Sequence, residues 1–166
     1  YPLDPGMDGL EGSLTNWLNR GIDAVDGYQP RLHEPVTLGE RTYVPMEVGE
    51  KLGYALLERS ITGRYRIAHT SSGNAPFRCG VIEENGGKQL LFQGRNTFGE
   101  IDRVQITLDR GYEYELKLPR KEVFFIHTGV DSRIPTGLAS VEQITLYDGE
   151  GQDINESFFM SMGGIQ

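Results

Sequence analysis

Between Asp102 and Leu108 the apolar residues Val104, Ile106 and Leu108 alternate with polar Arg103, Gln105 and Thr107. After Asp109-Arg110-Gly111 the alternation restarts as Tyr112, Tyr114, Leu116 and Leu118. A period of two predicts two half-buried strands, and the intervening Asp-Arg-Gly suits a tight turn. One face of this pair goes to a core. The other, carrying Arg103, Glu113, Glu115 and Lys117, meets water or a partner. The same reasoning predicts strands near Arg41 to Val48, Leu52 to Glu58, Arg64 to Thr70, Phe77 to Glu84, Lys88 to Gln93, Val123 to Thr128 and Val141 to Tyr147, separated by Gly, Asn and Ser turn signals.

The pattern changes at both ends. "YPLDPGMDGLEG" reads as an irregular arm, after which Ser13 is a candidate N-cap and Leu14, Trp17, Leu18, Ile22 and Val25 recur at helical spacing until Asp26-Gly27. Gly21 weakens that helix by roughly 1 kcal/mol relative to Ala, so it needs a surface to lie against. In the tail "DGEGQDINESFFMSMGGIQ", Phe158, Phe159, Met160 and Met162 form an apolar knot outside the alternating region. This tail either folds back over the end of the sheet structure or carries apolar surface to another subunit.

The expected architecture is all-β: a single jelly-roll-type antiparallel sandwich or barrel of about 8–9 strands, with a short N-terminal helix and extended terminal arms. Residues 1–40 would be arm and helix, 41–148 the sandwich, and 149–166 a C-terminal arm. A parallel α/β fold is excluded because no crossover helices separate the strands. A chain of 166 residues suits one domain, and 22 glycines suit a turn-rich β-protein.

Charge narrows the partners. The net charge is -8, and 12 of the 16 basic residues are Arg, a balance opposed to bulk nucleic-acid binding and to anionic membranes. Cys79 is the single cysteine, so neither an internal disulfide nor a Cys-based metal site is available, and in "FRCGVIEE" it reads as a small buried hydrophobe. The first residue is Tyr1 and not Met, for which a removed secretion signal, an untraced arm or a truncation would each account.

Candidate chemistry is sparse. His69 shares the parity of Tyr65 and Ile67, and His127 closes "VFFIHT" in a similar way, which places both on apolar strand faces; on adjacent strands they could share a metal with a carboxylate such as Asp131, but neither belongs to a tight ligand pair and no metal site is expected. Ser71, Ser72, Ser132 and Ser140 lie near His or Asp in sequence, but none sits in a Gly-x-Ser-x-Gly elbow. Glu83 and Glu84, as strand neighbours, point to opposite faces and cannot act together on one bond. "DGEGQDINE" is dense in oxygen ligands and offers a structural calcium near Asp148, Glu150 and Asp153, yet Asp153 stands where an EF-hand has glycine and Phe159 where it has glutamate. "GRNTFG" precedes a strand, not the helix that a phosphate cradle needs, and "NES" at Asn155 to Ser157 fits a glycosylation sequon. No cofactor is expected.

"GEKLGYALLERSITGRYRIAHTSS", Gly49 to Ser72, resembles the jelly-roll carbohydrate-binding modules of the galactose-binding-like kind, and "ITLDRGYEYELKL" with "LASVEQITLYDG" is similar to the closing half of that architecture. The resemblance implies a secreted sugar-binding module, although the ligand-side tryptophan and asparagine common in such modules have no clear counterparts. The single-barrel plan is also similar to that of viral capsid jelly rolls, which implies a shell subunit whose termini reach its neighbours. The favoured expectation is a non-enzymatic structural assembly protein of this coat type, in a virion or outside the cell. It would self-associate, or join a related coat subunit, through Arg103, Glu113 and Glu115 on the sheet face and through Leu14, Trp17, Leu18, Phe158, Phe159 and Met160 on the terminal elements. The alternative is the carbohydrate-binding module.

Overall fold

The computed structural model describes residues 2–3, 9–20 and 29–163 and consists mainly of antiparallel sheet. It divides into two compact units, Tyr1–Pro76 and Phe77–Gln166. This differs from one sandwich over 41–148. The pairings explain the division: every strand up to Gly73 pairs within the first unit, and every strand from Phe77 onward within the second.

In the first unit, β1 (Pro2–Leu3), α1 (Leu10–Leu18), β2 (Arg31–Leu32), β3 (Val36–Leu38), β4 (Arg41–Val48), β5 (Lys51–Arg59) and β6 (Tyr65–Gly73) follow in order. β4, β5 and β6 form a meander, with β1 on the outer edge of β6 and β2 and β3 on that of β4. Val44, Met46 and Val48 alternate along β4 and meet Ala55 and Leu57 of β5 and Ile67 of β6, and Leu10 and Leu14 of α1 cover them. Leu10 and Leu14 are one turn apart, which aims both at the sheet. The helix begins earlier than Ser13, whose N–H donates to Gly9 O at 2.9 Å inside the first turn. It ends at Asn19, whose side chain donates back to Thr15 O at 2.7 Å. The expected continuation through Gly21, Ile22, Val25 and Asp26-Gly27 lies outside the described residues, as do Tyr1 and positions 4–8 of the N-terminal arm.

In the second unit, β7 (Phe77–Glu84), β8 (Gly87–Arg95), β9 (Arg103–Leu108), β10 (Glu113–Lys117), β11 (Val123–Val130), β12 (Gly137–Leu138), β13 (Val141–Tyr147) and α2 (Asn155–Gly163) build two sheets, ordered β11-β8-β7-β12 and β10-β9-β13. Both sheets feed one core. Val81, Leu90, Phe92 and Phe124 come from the first and Val104, Ile106, Leu108, Leu116 and Leu146 from the second. Phe77, Gly94 and Phe124 share one row across three strands, because Gly94 pairs with Phe77 on one side and Phe124 on the other. The two rings close over the missing side chain, and a Cβ at Gly94 would clash with the rings of both Phe77 and Phe124.

The C-terminal segment is not an extended arm. After a turn at Asp148–Gly151 it forms α2, and Phe158 stacks on Phe77 with ring centroids 5.6 Å apart. Asn155 fastens the helix: its Oδ1 accepts from Leu146 N at 2.6 Å and its Nδ2 donates to Ile144 O at 2.7 Å. Met162 lies in the helix, with its side chain outside the described residues.

Candidate functional site

The register of the three-stranded sheet composes its outer face residue by residue. Lys117 faces Arg103 and Arg103 faces Tyr147; next come Glu115, Gln105 and Thr145, then Glu113, Thr107 and Gln143. The alternate residues, Val104, Ile106, Leu116, Ile144 and Leu146, turn inward to the core, so all nine polar positions share one side. The strict alternation read in the sequence produces this face. A bulge between Val141 and Gln143 sets the parity of β13 and brings Gln143, Thr145 and Tyr147 onto it.

Arg103 is the organising side chain. Its Nη1 donates to Glu115 Oε2 at 2.8 Å, and its Cζ lies 3.9 Å from the centre of the Tyr147 ring. Tyr147 in turn donates its hydroxyl to Gln105 Oε1 at 3.2 Å. A half-exposed ion pair of this kind contributes about 0–1 kcal/mol, so its main effect is to hold the guanidinium in place. Glu113 and Lys117 stand exposed at opposite ends of β10, with no ion-pair partner among the described residues. Four residues at ~3.3 Å each separate them, about 13 Å, which gives the face a positive end and a negative end. Arg103, Glu113 and Glu115 are thus together. Tyr147, which the sequence reading did not place here, joins them; the β13 alternation Gln143, Thr145, Tyr147 was the available signal.

The terminal candidates fare differently. Leu14 is fully buried in the first unit's own core, with Trp17 and Leu18 packed partly against it. The Arg20 guanidinium covers the Trp17 ring at 3.6 Å. Phe158 packs on the second unit's core, whereas Phe159 and Met160 are 42% and 70% exposed and remain open to a partner.

The histidines are not where alternation placed them. A bulge between Leu56 and Leu57 pairs Leu57 with Ile67 but Leu56 with His69, which inserts Ala68 and turns His69 to the face opposite Ile67. There it is exposed, its ring edge-on to Tyr54 at 5.9 Å. His127 alternates with the inward Phe124 and Ile126, so it too faces outward, with Nδ1 and Gln89 Oε1 3.2 Å apart. His33 pairs with Glu47 at 3.0 Å. Among the described residues no three His, Cys, Asp or Glu side chains converge as a metal site.

In the acidic turn, Asp148 Oδ1 accepts from the N–H groups of Glu150 and Gln152, and Asp153 Oδ1 from that of Asn155, each at 2.9 Å. Of the candidate serines, Ser71 and Ser72 lie on β6, Ser132 in a turn and Ser140 in the link just before β13; Cys79 is half-buried, with burial pushing its thiol up to about 12. Compared with known proteins, the chain matches no family model, no curated protein and no solved structure.

Proposed function

We propose that the chain is a non-enzymatic structural subunit that self-associates through the outer face of its three-stranded sheet, as a coat or surface-lattice protein does. The observation that carries this reading is the polarity of that face. Lys117 and Arg103 mark one end and Glu113 the other, with Glu115 between them. A two-fold axis between two such faces sets the positive end of each copy against the negative end of its neighbour, and like charges stay apart.

A glycan is the weaker occupant. Tyr147 is the one aromatic residue on this face, and Arg103 already lies on its ring. A sugar would have to displace the guanidinium before it could stack.

The face is small. Three strands ~4.8 Å apart and five residues long at ~3.3 Å each cover roughly 240 Å² of flat area, well below the ~800 Å² per partner of a stable interface. A single contact is therefore weak, and a lattice gains its strength from repetition, to which the exposed Phe159 and Met160 can contribute.

Sedimentation velocity over a concentration series tests this. Association should rise with concentration, fall as salt rises from about 50 to 500 mM, weaken in Lys117→Glu, and return in Lys117→Glu combined with Glu113→Lys. A strict monomer at all concentrations, or association indifferent to Lys117→Glu, would refute the reading. Phe159→Gln with Met160→Gln tests the tail while leaving Phe158 in the core.

A further inference from the structure

A second feature of the Phe77–Gln166 unit points to a ligand and does not depend on self-association. Leu108, Asp109, Arg110, Arg133, Ile134, Pro135 and Leu138 are among the residues that line a cavity of about 90 Å³. At ~10–15 Å³ for one water-sized occupant, that is space for roughly six to nine such groups. Its deep wall is apolar, for Leu108 and Ile134 are 2% and 7% exposed, and Leu138 stands at the rim 93% exposed.

The polar groups around it come in opposite signs. Arg133 is held by Asp131 through two bonds, Nε to Oδ1 and Nη2 to Oδ2, both 2.9 Å, with its guanidinium 5.7 Å from the Tyr112 ring centre. That pair is internally neutralised. Asp109 and Arg110 are different. Asp109 Oδ1 accepts only the Arg110 main-chain N–H, at 2.9 Å, and the Arg110 guanidinium pairs with no acidic side chain among the described residues. Arg110 also sits at φ 67, a left-handed conformation uncommon for a non-glycine residue. One carboxylate and one guanidinium thus border an apolar hollow the size of a small aliphatic side chain.

We propose that this hollow is a binding site for a small zwitterion with an aliphatic side chain, an aliphatic amino acid by chemical class. The ligand carboxylate meets Arg110, its ammonium meets Asp109, and its side chain rests on Leu108, Ile134 and Pro135. The neutral sum of the rim selects against a dianion such as phosphate, and the apolar wall selects against a fully polar solute.

The test is an NMR titration of the isotope-labelled full chain with L-leucine, N-acetyl-L-leucine, L-leucinamide and methyl β-galactoside. L-Leucine should give saturable shifts confined to Leu108–Tyr112 and Arg133–Ser140, with a Kd of order 1–10 mM for so open a site. Each blocked analogue should bind about tenfold more weakly, since each lacks one charged contact. Arg110→Asn, a residue tolerated at this φ, should abolish the leucine shifts and leave the remaining spectrum in place. Arg110→Gly should do the same. Absence of saturation by roughly 50 mM would overturn the proposal. So would equal binding of N-acetyl-L-leucine, which would make the site a plain carboxylate receptor, or binding of the galactoside in place of leucine, which would make it a sugar site.

Discussion

Asn96 and Ile101 are joined by a reciprocal pair of hydrogen bonds: Asn96 Nδ2 donates to Ile101 O at 2.9 Å, and Ile101 N donates to Asn96 Oδ1 at 3.1 Å. Both residues are buried, so the amide side chain replaces the water that the loop between β8 and β9 would otherwise need. Asn96→Ala strands a main-chain N–H and a C=O and should lower stability by about 2–4 kcal/mol. Urea unfolding followed by circular dichroism measures this, since the single tryptophan, Trp17, belongs to the other unit. A midpoint within error of the wild type would contradict it.

Gly94 occupies the place where two rings meet. Gly94→Ala should destabilise by about 1–3 kcal/mol, because Phe77 and Phe124 cannot both keep their positions over a methyl group. Phe77→Leu should recover part of that loss in the double variant, although it is destabilising by itself. Additive losses in the thermal melts of the three variants would mean that the ring and the methyl group do not compete.

Asn155 couples α2 to β13 through one acceptor and one donor. Asn155→Ala should lower stability by about 1–3 kcal/mol and accelerate hydrogen exchange at the Leu146 amide. Asn155→Asp keeps the acceptor and should protect Leu146 better than alanine does. Exchange at Leu146 unchanged in the alanine variant would rule out the coupling.

The side-chain bonds from Arg133, followed by its backbone N–H, hold the Asp131 carboxyl down to about 2 against an ordinary 3.8. A carboxyl whose folded pKa is depressed stabilises the fold above its unfolded pKa, and that contribution is lost as pH falls from about 3.8 toward 2. The group is exposed, so the effect on stability is small and the titration itself is the better readout. Carbon-detected NMR should place Asp131 near 2, and Arg133→Gln should return it toward the ordinary value. A midpoint that ignores the substitution would remove Arg133 as the cause.

Much of the sheet structure was legible from local pattern. The limits read for Arg41–Val48, Phe77–Glu84 and Val141–Tyr147 match β4, β7 and β13, because each is bounded by a turn or a break in apolar character. The alternation around Arg103 and Glu115 also yields the candidate face. What was not legible depends on pairing. One inserted residue, Ala68, reverses the side on which His69 lies, and nothing in the strand's own composition announces it. β2, β3 and β12 are two or three residues long, too short for a period to register. Phe158 to Met160 read as a knot because consecutive apolar residues hide helical spacing, although Asp153 and Glu156, three apart, carried the form of a helix-start signal. The division after Pro76 follows from which strands bond to which, information that no single segment holds.

Cys79 gives the molecule a built-in clock. At neutral pH a thiol held up to about 12 is almost entirely protonated, and it reacts slowly with alkylating reagents while the strands around it stay closed. Since no other cysteine exists, every thiol label the protein acquires sits on β7, and its rate reports how well the strands there shield Cys79. Trp17 fluorescence records the other unit in the same sample. The chain therefore carries one probe in each unit, and comparing the two signals under denaturant shows which unit yields first.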